Sequence, residues 1–163
     1  MYKAKVITVS DRCFNNERVD EAGPIVKKIL INAGYEAEKI TIGPDEEKLI
    51  IDALNGAVNS NFDLIVTTGG TGFSKRDITP ECTKKVIDKE APGIAEYMRQ
   101  SSMQITKRAM LSRGVCGLKN NSLIINLPGS EKAARENLEA IIETIEHGLK
   151  MLNNSVNDCA KLI

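Results

Sequence analysis

The 163-residue chain has no tryptophan, one histidine and only 4% aromatic residues, and its charges cancel, with 22 Lys plus Arg against 22 Asp plus Glu. Without a net positive field nothing holds a polyanion at physiological salt, and without rings there is little on which single-stranded bases can stack. Nucleic acid is therefore excluded as the main partner. His147 stands alone in a helical pattern near the C-terminus, so histidine acid–base catalysis and zinc catalysis have little to draw on. Cys13, Cys82, Cys116 and Cys159 lie far apart with no Cys-x-x-Cys pair, which excludes a zinc ribbon and a dithiol redox motif and leaves small buried residues. No apolar run approaches the length of a membrane span, and Met1-Tyr2-Lys3 leads directly into a strand pattern. The expectation is a cytoplasmic chain without membrane contact.

What is present is alternation. Lys5–Val9, Ala37–Ile42, Phe62–Thr67 and Ser122–Leu127 read as strands. Between and after them, apolar residues recur at helical spacing: Ile25 to Ala33, Leu49 to Val58, a helix opening at Pro80, another from Pro92 with Ile94, Met98 and Met103, and a long one with Ala134, Leu138, Ile141, Ile142, Ile145, Leu149 and Leu152 inward. Ala109–Gly114 reads as a loop or short strand, and periodicity weakens from Asn153 to Ile163. Strands alternating with amphipathic helices predict a three-layer α/β/α fold on a mostly parallel sheet. A chain of this length buries roughly two thirds of its unfolded surface, so residues 1–163 are expected to form a single domain without help from disulfides or metals.

The most informative segment is Thr67-Thr68-Gly69-Gly70-Thr71-Gly72-Phe73-Ser74-Lys75-Arg76-Asp77-Ile78-Thr79-Pro80-Glu81. It follows a buried strand, and Thr79 and Pro80 suit the N-cap and first residue of a helix. Glycines without Cβ atoms and the unpaired N–H groups of a helix start let backbone approach an anion, and Asp77 supplies a carboxylate for its cation. A tight turn that needs its glycines only for positive φ is the competing reading; the adjacent Arg76 and Asp77 favour the phosphate and magnesium site. The segment lacks the Gly-Lys-Ser/Thr ending of the ATPase phosphate loop.

Ligands of open α/β sheets bind beyond the carboxyl ends of the strands. Here Ser10-Asp11-Arg12, Pro44-Asp45-Glu46, the turn from Thr68 to Asp77, and Asn126-Leu127-Pro128-Gly129-Ser130 would lie along one edge. Each has a plainer use as well. Asp45 and Ser130 suit helix N-caps, Asp11-Arg12 suits a surface pair, Pro128-Gly129 suits a turn, and Ser112-Arg113 suits solvent or a phosphate-bearing ligand.

These segments, with Ala91-Pro92-Gly93, Leu111-Ser112-Arg113 and Leu123-Ile124-Ile125-Asn126-Leu127-Pro128-Gly129-Ser130, strongly resemble the molybdopterin adenylyltransferase family, from Val6 to about Leu152. The family includes the bacterial enzyme of molybdenum cofactor synthesis, plant enzymes and the corresponding domain of gephyrin. The resemblance implies an α/β/α fold, a homotrimer, and transfer of AMP from ATP to the molybdopterin phosphate with release of pyrophosphate, a molybdenum insertase being a possible partner. A non-catalytic trimeric pterin carrier or scaffold is the alternative. The resemblance makes Asp77 and Asp45 the catalytic and magnesium-binding positions. It assigns Ser10, Asp11, Thr68, Gly69, Gly70, Thr71, Gly72, Arg76, Glu81, Ser112, Arg113, Asn121, Ser122, Asn126, Pro128, Gly129 and Ser130 to the nucleotide or the pterin. The chain departs from the family where Gly-x-Arg-Gly commonly precedes the last strand: Gly117-Leu118-Lys119-Asn120 stands there, with Lys119 for the arginine and Asn120 at a position that favours positive φ.

Overall fold

A computed structural model describes residues 1–153; the weakly periodic stretch from Asn154 onward lies outside the described residues. Strand β1 (Lys3–Val9) leads into a four-residue helix α1 (Asp11–Phe14) and then α2 (Ala22–Asn32). The strand expected over Ala37–Ile42 is divided into β2 (Glu36–Ala37) and β3 (Thr41–Gly43), both parallel to β1 on its outer side. Helix α3 (Glu47–Asn59), β4 (Leu64–Thr68) and α4 (Thr79–Val86) follow. Then come β5 (Lys89–Glu90), α5 (Pro92–Met103), a 3-10 turn over Lys107–Leu111, β6 (Cys116–Lys119), β7 (Ser122–Leu127) and α6 (Glu131–Leu152).

The sheet runs β2-β1-β4-β7-β6-β5, with β3 beside β1. Pairings from β2 and β3 through β7 are parallel, and β6 and β5 add an antiparallel margin. This is the expected three-layer α/β/α fold. The antiparallel margin was not foreseen, because Cys116–Lys119 is short and Gly117 interrupts its pattern. Gly117 has a packing reason: a Cβ there would collide with the Ile87 side chain and lie 2.7 Å from the Lys89 carbonyl.

Strand side chains alternate between two cores, as the period of two requires. Ala4 and Val6, Leu64 and Val66, and Leu123, Ile125 and Leu127 face the layer of α2, α5 and α6. Ile7 and Val9, Ile65 and Ile124 face the smaller layer of α3 and α4. Leu49 and Met103, expected inward, are exposed, because α3 buries Ile50, Leu54, Ala57 and Val58, and α5 buries Ala95 and Met98. Among the described residues no helix is long and apolar enough to cross a membrane.

Candidate active site

Because β1, β3, β4 and β7 are parallel, their carboxyl ends open at one edge. A cleft of about 240 Å³ lies there, walled by Ser10, Asp45, Thr68, Gly69, Gly70, Asp77, Gly129 and Ser130. Gly69 and Gly70 adopt positive φ, 93° and 67°. Each also sits where no Cβ fits: at Gly69 it would meet the Val9 carbonyl, and at Gly70 the Thr79 hydroxyl, with Asp45 Oδ1 at 3.3 Å. Gly129 packs on Gly69, its would-be Cβ 3.2 Å from the Gly69 Cα. Glycine is thus required here by backbone conformation and by close approach together.

Two aspartates from different loops are joined by reciprocal hydrogen bonds. The Asp11 N–H donates to Asp45 Oδ2 at 2.9 Å, and the Asp45 N–H donates to Asp11 Oδ1 at 3.0 Å. Arg76 completes the clasp, its guanidinium donating to both Asp11 oxygens and, at 3.1 Å, to the Asp45 carbonyl. The Arg76 hydrogen bonds hold the Asp11 carboxyl below the ordinary aspartate range, against an opposing effect of burial. Asp45 is pushed the other way, chiefly by burial; the Asp11 N–H opposes this, and the charges of Asp11 and Asp77 add to the upward push. Asp77 closes its own loop: its Oδ2 accepts from the Ser74 N–H at 3.0 Å, and its N–H donates to the Ser74 carbonyl at 3.0 Å.

Thr79 does not cap α4. Ile78 occupies that position, Thr79 is already in the first turn, and its buried hydroxyl, facing Gly70, has no partner. Ser10 and Ser130 do act as caps, accepting from the Cys13 and Ala133 N–H groups that open α1 and α6.

A second cleft of about 270 Å³ lies beyond the glycine turn, lined by Thr71, Gly72, Arg99, Arg108, Ser112 and Pro128 among others. The two clefts share the Thr68–Gly72 backbone as a partition.

Several expected contacts belong elsewhere. Asn121 and Ser122 lie at the amino end of β7, the far edge of the sheet from Ser130; six residues of strand, roughly 20 Å, intervene. Asn121 is exposed there and the Ser122 hydroxyl donates to the Phe62 carbonyl at 2.6 Å, so neither joins the clefts. Lys119 pairs with Asp88 at 2.7 Å on the same antiparallel margin, and Asn120 takes φ 51° to turn β6 into β7. Asn126 is 1% exposed and fully engaged, donating to the Thr67 and Thr83 hydroxyls and accepting from the Val115 N–H. Arg76 is engaged by Asp11, and Arg113 pairs with Glu81, and none of these four lines either cleft.

The residues that sequence reasoning missed come from the loop after α1. Arg18, Asp20 and Glu21 line the first cleft because the Glu17 and Arg18 N–H groups both return to the Arg12 carbonyl and fold the loop back. Asp20 holds the Thr8 hydroxyl at 2.7 Å and the Gly23 N–H at 2.9 Å. Its place three residues before Gly23 was the only signal. Arg18 had none.

The sequence family described as "Probable molybdopterin binding domain" matches residues 5–147. This chain belongs to that family. Within it, the molybdopterin adenylyltransferase of Helicobacter pylori J99 is 40% identical over 155 residues, covering 90% of this chain and 85% of that protein. The molybdenum cofactor synthesis protein cinnamon of Drosophila melanogaster is 38% identical over 154 residues, and this chain, 93% covered, spans 26% of its length. Among solved structures, the molybdopterin biosynthesis enzyme MoaB of Thermus thermophilus superposes with a TM-score of 0.89 at 41% identity, covering 94% of this chain and 98% of that one.

Proposed function

We propose that this chain is a molybdopterin adenylyltransferase, with ATP phosphates in the first cleft and the pterin in the second. The observation that carries this reading is the meeting of Asp45, Asp77 and the Gly69-Gly70 turn in one cleft that borders a second. The 40% identity to a protein so named supports it independently.

The transfer joins an oxygen of the molybdopterin phosphate to the α-phosphorus of ATP, and the bond from that phosphorus to the bridging oxygen breaks as pyrophosphate leaves. No protein nucleophile is required, since a phosphate monoester is already anionic near neutral pH. What the chain must do is align two anions. Gly69 and Gly70 let backbone come close to the phosphates, and Arg18 is the cation placed to meet the outer ones. Ser112 and Pro128 face the pterin side.

Magnesium fits the donors. Asp45 and Asp77 offer hard oxygens, the orphan Thr79 hydroxyl adds a polar atom beside Gly70, and no group of three or more His, Cys, Asp or Glu among the described residues forms an all-protein cage. Two carboxylates with the remaining positions left to water and phosphate is a common magnesium arrangement. Bound there, magnesium supplies charge neutralisation and a Lewis acid for phosphoryl oxygen.

Purified protein given ATP, magnesium and molybdopterin should release pyrophosphate. The Asp77→Asn variant should lose about 100-fold or more in rate, as loss of a group acting in the transition state does, while still binding pterin. Pterin binding by the native protein with no pyrophosphate released would return the non-catalytic carrier reading.

A further inference from the structure

Arg113 resembled a phosphate ligand in sequence, yet its side chain lines neither cleft. Instead its guanidinium grips the glycine turn from behind. Nε donates to the Gly72 carbonyl at 2.7 Å, one terminal nitrogen donates to the Asp77 carbonyl at 2.6 Å, and the other pairs with Glu81. The Arg113 N–H adds a bond to the Thr71 carbonyl at 2.9 Å. Gly72 and Asp77 are the two ends of the loop that carries the exposed Phe73, so both feet of that loop rest on one planar group.

The chain on either side of Arg113 is fixed as well. Arg99, in the wall of the second cleft, donates to the Gly114 carbonyl at 2.8 Å and the Ser112 carbonyl at 3.4 Å. Two arginines in series therefore connect the wall of the second cleft to the backbone of Asp77. Neither faces the first cleft.

Resting on the adenylyltransferase reading, we propose that Arg113 is a positioning residue for the transfer. By clamping the Gly72 and Asp77 carbonyls it sets the Asp77 carboxylate opposite Asp45 across the first cleft, and Glu81 holds its fork in plane. Asp77 Oδ2 is tied to its own loop, because it accepts from the Ser74 N–H at 3.0 Å while the Asp77 N–H donates to the Ser74 carbonyl. Its position follows the loop feet, and those follow Arg113. A lysine cannot replace this, since one ammonium does not span three acceptors in a plane.

The test uses Arg113→Ala, Arg113→Lys and Glu81→Gln in the full chain, reading rate against magnesium concentration, KM for molybdopterin, and amide exchange at Ser74 and Asp77. Arg113→Ala should raise the half-saturating magnesium and lower kcat, together by about 10- to 100-fold, as loss of groups that orient metal ligands does. The KM for molybdopterin should stay near its native value, and the Ser74 and Asp77 amides should exchange faster. Arg113→Lys should recover little, and the milder Glu81→Gln should fall between native and Arg113→Ala. Native magnesium dependence in Arg113→Ala, or a loss of rate with unchanged exchange at those two amides, would overturn the proposal. If Asp77→Asn still turned over, the reading of the cleft itself would fail; if Asp77→Asn were inactive and Arg113→Ala normal, only the clamp would fail.

Discussion

Asp45 is placed where its charge is unwelcome in the ligand-free protein. Burial and the neighbouring Asp11 and Asp77 raise its carboxyl above the ordinary value of 3.8. A carboxyl that binds its proton more tightly folded than unfolded lowers stability as pH rises through that interval, and the deficit persists at neutral pH. Asp45→Asn should therefore raise the Tm at pH 7 by about 2 °C, under ~1 kcal/mol, while activity is lost; the gain should shrink toward pH 3.5, roughly where the native carboxyl is protonated in both states. Calorimetry at both values decides it, and a lowered Tm at pH 7 would mean that the hydrogen bond to Asp11 outweighs the burial. Asp11 has the opposite sign: Arg76 holds its carboxyl down, so its contribution is present above 3.8 and lost as pH falls below that value. Gly70→Ala puts a side chain at φ 67° and into the Thr79 hydroxyl. A urea midpoint should report a loss of at least about 1–3 kcal/mol.

At the level of elements, a polar knot inside an apolar layer fixes how α4 meets the sheet. Asn126 on β7 bonds Thr67 on β4 at 3.0 Å and Thr83 on α4 at 2.9 Å. It also accepts from the Val115 N–H at 3.2 Å. Asn126→Ala leaves that N–H and two hydroxyls without partners and should cost roughly 2–4 kcal/mol in equilibrium unfolding. A cost below about 0.5 kcal/mol, the scale of ordinary surface changes, would reassign the knot to specificity. Sequence marked Asn126 correctly as special but for the wrong reason, since a polar residue at the end of a strand reads alike whether it turns to a ligand or to a neighbouring helix. The parallel strands were legible because Leu64–Val66 and Leu123–Ile125 are continuous apolar runs, buried on both faces. Strands β5 and β6 were not, being too short for a period to show. Asn121 and Ser122 were assigned by the resemblance alone; they open the strand Ser122–Leu127, at its amino end and away from the carboxyl-end clefts.

For the whole molecule, the convergence of four strand ends could be read before the structure because parallel strands must share a direction. The clasp of Arg76, Asp11 and Asp45 could not, as it depends on side chains from three loops meeting in space. Assembly is likewise not encoded in any period of the chain. We expect a homotrimer, which light scattering should report as three times 17.8 kDa, about 53 kDa; a mass of 17.8 kDa would refute it. The two sides of the sheet also differ in depth. The layer of α2, α5 and α6 encloses the larger core, and that of α3 and α4 the smaller. Asp45 precedes α3 and Asp77 precedes α4, so both carboxylates hang from the thinner side, while Ser130 opens α6 on the thicker one. Local opening favours regions with fewer buried contacts, so the series of Arg99 and Arg113 acts as a stay that ties the Asp77 loop on the thinner side back to α5 on the thicker one.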